Sequence, residues 1–99
     1  MIKKKFFKTR DECEVTFECA PAQAESVELV CEANGWQPIS MKKKKGGAFR
    51  TRLRLPRDSQ FEFRYLLDGR TWANDEAADS YAANVYGSDN GVVFTRPSS

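Results

Sequence analysis

The sequence predicts an all-β fold, a sandwich of short antiparallel strands, on three observations. Apolar and polar residues alternate with period two through several short runs. Turn-forming residues separate those runs at spacings of about 10 to 15 residues. No stretch has the 3.6-residue periodicity of a long amphipathic helix, which argues against a parallel sheet with crossover helices. A chain of 99 residues, 40% apolar and 30% charged, has the composition of one globular domain with one modest core. It contains no internal repeat and no linker, so residues 1–99 are read as a single domain.

The basic start, Met1 to Lys8, has the opening of an export signal, but its apolar stretch ends after Phe6 and Phe7, well short of the roughly 7 to 15 residues that export uses. Nothing else approaches the roughly 18 apolar residues of a membrane span. The expectation is a cytoplasmic protein with no membrane partner.

The first predicted strand places Cys13, Val15, Phe17 and Cys19 on one face and Glu14, Thr16 and Glu18 on the other, and Pro21 ends it. The second sets Val27, Leu29 and Cys31 against Glu28, Val30 and Glu32, breaking at Asn34-Gly35, a turn that leads into Trp36. A short polar segment follows. After Gly46-Gly47, Phe49, Thr51, Leu53 and Leu55 alternate with Arg50, Arg52 and Arg54, so these guanidinium groups share one outward face of a strand closed by Pro56. Phe61, Phe63, Tyr65 and Leu67 alternate with Glu62, Arg64 and Leu66, a run of strong β-formers that reads as a central strand ending in an Asp68-Gly69 hairpin turn. Arg70 to Gly87 shows little periodicity, with one helical turn predicted at Asp75 to Asp79, and Val92, Val93 and Phe94 form the last strand.

Charge is segregated along the chain. Met1 to Arg10 carries five cations, Asp11 to Glu32 seven anions, Met41 to Arg57 eight cations, and the remainder is acidic. The block from Lys42 to Arg57 has the charge to track a phosphate backbone, but no base-stacking aromatics are interspersed in it. Lysines that blunt an edge and arginines paired across strands with Glu14, Glu28 or Glu32 explain it better, so nucleic acid is disfavoured as a partner. Cys13, Cys19 and Cys31 are odd in number, and the first two lie roughly 20 Å apart on one strand, too far to pair. They read as buried reduced thiols. Without histidine they do not make a zinc site, so no metal is expected.

Catalytic machinery is not in evidence. The absence of histidine removes Ser-His and Cys-His nucleophiles. A small sandwich offers no deep cleft in which carboxylates such as Asp75 and Asp79 would divide acid and base roles. No glycine-rich phosphate loop occurs. The chain reads as a non-enzyme without cofactor.

The segment Cys31-Glu32-Ala33-Asn34-Gly35-Trp36 resembles the G-x-F-N-x-W motif of family 48 carbohydrate-binding modules, the isoamylase early-set domains, which include the glycogen-binding domain of AMP-activated kinase β subunits. Cys31 and Ala33 replace the family's glycine and phenylalanine. Phe63-Arg64-Tyr65-Leu66-Leu67-Asp68-Gly69, followed by Trp72 and Asp75, is similar to a second motif, with Glu76 in place of the usual proline. Tyr81 to Val93 resembles the closing motif, in which a glycine, a small hydroxyl residue and an asparagine precede the last strand. The lysine-rich start looks like short stand-alone bacterial early-set proteins.

The resemblance implies an immunoglobulin-like early-set sandwich of about seven antiparallel strands, with its core between about residues 13 and 95. It also implies binding to an α-1,4-linked glucan, an oligo- or polysaccharide of the glycogen or starch type. Trp36 and Trp72 would supply indole faces for the apolar C–H face of glucose. Arg64 would donate to sugar hydroxyls, Ser88 and Asn90 would add polar contacts, and Tyr86 stands where a bulky residue buttresses the sugar chain. Structural roles compete with each assignment: Trp36 as an end cap of the sandwich, Arg64 in a cross-strand ion pair, Asn34 as the residue holding the turn. The alternative function is a protein-interaction module, its partner a glycogen-metabolising enzyme or another protein, that kept the fold without sugar affinity.

Overall fold

The computed structural model describes residues 2–7, 9–21, 23–84 and 87–96. These residues form ten strands, β1 (Ile2–Phe6), β2 (Glu12–Cys19), β3 (Val27–Cys31), β4 (Ile39–Ser40), β5 (Lys42–Lys43), β6 (Phe49–Pro56), β7 (Gln60–Leu67), β8 (Thr71–Ala73), β9 (Ser80–Ala83) and β10 (Asp89–Phe94). One sheet has the order β1-β2-β6-β5; the other runs β4-β3-β7-β10-β9, with β8 also on β7. Every pairing is antiparallel. The all-β sandwich expected from the alternation is the architecture found.

The inner faces are the apolar halves of the predicted strands. Cys13, Val15 and Phe17 of β2 and Phe49 and Leu55 of β6 meet Val27, Leu29 and Cys31 of β3, Phe63 and Tyr65 of β7, and Val93 of β10 in one core. The Phe17 and Phe63 rings, 4.9 Å apart and tilted, join the sheets at its centre, with Tyr65 edge-on to Phe63 at 5.8 Å. At the sandwich edge the Lys4 ammonium reaches the Asp79 carboxylate at 2.6 Å, and that carboxylate also accepts the Phe94 N–H at 2.8 Å. Cys13, Cys19 and Cys31 are free thiols.

Where about seven strands are predicted, the described residues form ten, and the surplus lies at edges. Lys3-Lys4-Lys5 belongs to β1, whose backbone pairs with β2 while alternate lysines stay in water. The polar segment after Trp36 becomes β4 and β5. These two-residue pieces are too short to carry a period. Asp75 to Asp79 forms a hydrogen-bonded turn in place of a helical one: the Ala78 N–H donates to the Asp75 carbonyl and the Ala77 N–H to the Asp75 carboxylate.

One feature of β7 positions the rest. Its first edge carries β3; its second carries β10 over Gln60 to Phe63 and then β8 over Tyr65 to Leu67. Arg64 falls in the gap between β10 and β8, and the Asn74 amide closes that gap by donating to the Asp89 carbonyl at 2.9 Å. No helix among the described residues is long and apolar enough to cross a membrane.

Candidate functional site

The alternation of β7 sends Phe63 and Tyr65 into the core and Glu62, Arg64 and Leu66 outward. Register places Val30 of β3 opposite Arg64 and Trp72 of β8 opposite Leu66. On the β10 side, Asn90 comes one residue before the Gly91–Phe63 pair and so lies beside Arg64. Together with Trp36 and Asn84, these residues line a groove of about 360 Å³ on the outer face of the larger sheet.

The groove has aromatic walls and a polar floor. Trp36 and Trp72 keep 41% and 48% of their surface exposed. Trp36 follows a short helical turn (Glu32–Asn34) and adopts φ +64°, beside Gly35 at φ +65°. A left-handed backbone is unusual for a bulky residue and costs about 1–2 kcal/mol. The turn is held by the Trp36 N–H on the Cys31 carbonyl and by the Asn34 amide on the Gln37 carbonyl, at 3.0 and 3.1 Å. Asn34 is thus the turn-holding residue.

The Arg64 guanidinium lies 5.1 Å from the Trp72 ring centre, a cation–π distance. It is not in the cross-strand ion pair that competes for it; its buried Nε–H finds no acceptor among the described residues. A buried donor left unpaired costs about 1–3 kcal/mol. Asn90 donates to the Glu62 carboxylate at 3.0 Å and accepts from the Asn84 amide at 3.2 Å. Glu62 is fixed in turn, its N–H donating to the Glu32 carboxylate at 2.9 Å. Asn84, Asn90, Glu62 and Glu32 thus form one hydrogen-bonded chain on this face, beside Arg64 and Val30.

Of the residues picked from sequence, the groove brings together Trp36, Arg64, Trp72 and Asn90. Ser88 is set behind it, where its N–H and hydroxyl engage the Asn84 side chain. Tyr86 lies outside the described residues. Sequence reasoning missed Val30 and Asn84 as lining residues. Val30 had a signal: it is the apolar member of the outward set Glu28, Val30 and Glu32. Asn84 had none, since the segment around it lacks periodicity.

A larger hollow, about 680 Å³, opens at the end of the sandwich between Cys19, Pro21, Leu67 and Asp75. Its buried polar groups already serve one another: the Tyr65 hydroxyl donates to the Asp75 carboxylate at 2.8 Å, and the Tyr81 hydroxyl to the Asp75 carbonyl. Burial, and then that carboxylate, push the Tyr65 phenol far above its ordinary value, so it stays protonated. This is a structural knot. No group of three or more metal-ligating side chains is present among the described residues.

No protein-family model matches the chain, and no curated protein matches it. The likeness to family 48 modules rests on the motif residues named above.

Proposed function

We propose that this chain is a non-catalytic binding module for α-1,4-linked glucan, related to the isoamylase early-set family, and that the Trp36–Trp72 groove is its site. One observation supports this reading above the others. Two half-exposed indoles, delivered by different parts of the chain, flank a guanidinium whose buried N–H lacks an acceptor. Sugar rings present what such a groove lacks: an apolar C–H face for each indole and hydroxyl oxygens for the guanidinium. The groove is shallow, which suits weak binding of a long polymer better than the deep enclosure of a small metabolite.

A proton–nitrogen correlation titration with maltoheptaose or β-cyclodextrin tests the proposal. Saturable shifts at the Trp36 and Trp72 indole signals and at backbone signals near Arg64 and Asn90 are expected. Unchanged spectra at millimolar sugar would overturn it and leave the groove as a surface for protein contacts.

A further inference from the structure

The opposite face of the sandwich has an opening of another kind. β6 is paired along its whole length with β2, from Glu12–Pro56 to Cys19–Phe49. On its other edge β5 covers Phe49 and Arg50 and then stops. The strand that would continue along β6 is drawn into the other sheet: Met41 is buried, its N–H donates to the Val27 carbonyl at 2.9 Å, and Ile39 and Ser40 pair with β3. From Thr51 to Leu55 no described strand lies along that edge, and alternate backbone N–H and C=O groups there face outward.

The side chains on this edge are strongly biased. Arg52 and Arg54 are exposed on the outer face. Arg50 has Glu18, with nitrogen–oxygen distances of 3.0 and 3.2 Å, but Arg52 stands opposite Thr16, which offers no charge. Arg54 stands opposite Glu14 and stacks over the Phe7 ring at 5.1 Å. The hairpin from Lys42 to Lys45 extends the positive field beyond the end of the edge.

Open backbone and alternating cations together select an occupant. A second copy pairing by the same edge would set arginine against arginine, which is unfavourable for directly opposed residues. A polyphosphate backbone would meet the charges but leave the ladder unfilled. An extended peptide with carboxylates at every second residue satisfies both, because its side chains repeat at the same spacing of about 6.8 Å as those of β6. We infer that the free edge of β6, Thr51 to Leu55, takes up an extended acidic segment of a partner protein as an added antiparallel strand, with carboxylates beside Arg52 and Arg54.

The probe is the peptide acetyl-Thr-Glu-Val-Glu-Val-Glu-Thr-amide, added to the nitrogen-15-labelled protein. Saturable shifts at Thr51 to Leu55, with slowed amide exchange there, are expected. Methylating the peptide's glutamate nitrogens keeps its charge but removes the backbone donors that would face Arg52 and Arg54 of β6, and it should weaken binding by about tenfold or more. Arg52→Glu, a change at an exposed residue opposite Thr16, should abolish binding of the glutamate peptide; Arg52→Gln, with native thermal unfolding, should give an intermediate loss. Equal binding of the N-methylated peptide would reduce the edge to nonspecific charge attraction and overturn the inference. Protection appearing at Ile2 to Phe6 or Ser80 to Ala83 instead would overturn it too. Neither outcome depends on whether the tryptophan groove binds glucan.

Discussion

On the outer face of the smaller sheet, Glu14, Thr16 and Glu18 stand opposite Arg54, Arg52 and Arg50, all at least partly in water. On the outer face of the larger sheet, Val30, Val92 and Asn90 are 6%, 4% and 8% exposed, close to the values of the core. Both faces point away from the interior, so sandwich geometry alone predicts the first state for both. At Val30 and Asn90 the difference coincides with Trp36, Arg64 and Trp72, which line one groove with them. In an antiparallel sandwich, outward residues lose contact with water where longer side chains of the same face lie over them.

The comparison can be broken from its shared centre. Phe63→Ala removes the ring that packs on Phe17 and Tyr65, and it should cost about 3–5 kcal/mol in urea unfolding while lowering amide protection in both sheets together. Loss confined to one sheet would show that the faces are not held by a common core. Next in size, Val30→Thr should cost about 1–3 kcal/mol, because it trades a buried methyl for a hydroxyl that must leave water. Thr16→Val, the mirror change on the other face, should stay within about 0.5 kcal/mol. Equal effects would erase the distinction between the faces.

Trp72→Ala should weaken glucan binding by about tenfold or more in the titration described above, with stability measured by the same urea method changing by no more than about 1 kcal/mol. The alkaline limb of stability should follow the shared core. Burial first, and for Tyr65 also the Asp75 carboxylate, raises the Cys13, Cys31 and Tyr65 values in the folded state. The unfolded chain then releases protons that the folded one keeps, so this stabilisation is complete below the ordinary thiol value of 9.0 and declines as pH rises above it. Urea midpoints at neutral pH and near pH 10.5, the latter expected lower, check the sign. A small effect is also expected of Arg50→Ala, which removes a partly exposed ion pair with Glu18 and should cost only about 0.2–1 kcal/mol.

Much of this architecture can be read from β2, β6 and β7, where alternation is sustained over strands long enough to show it. The same logic located Arg64 on an outward face and Asp68-Gly69 in a turn, where both residues adopt positive φ and the Asp68 carboxylate collects the Glu25 and Ser26 N–H groups. Legibility fails where a strand's form is set by its neighbours. β8 and β9 exist because β7 and β10 offer them partners, and their own side chains are mixed. The left-handed backbone at Trp36 was also invisible, since the signal at Asn34-Gly35 specifies a turn but not how many residues share its handedness. The tryptophans and Asn90 were legible only through resemblance to known motifs, and Asn84 only through the hydrogen bonds that aim it.

Met41 has a dynamic consequence. Only four residues lie between it and Trp36: the chain leaves Trp36 on one side of the molecule, passes through Met41 in the interior, and emerges at Lys42 on the other. With its side chain buried in the shared core and its N–H on the Val27 carbonyl, Met41 ties the crossing between the sheets to β3. Hydrogen–deuterium exchange at the Met41 amide should be among the slowest in the chain, opening only when the whole domain does.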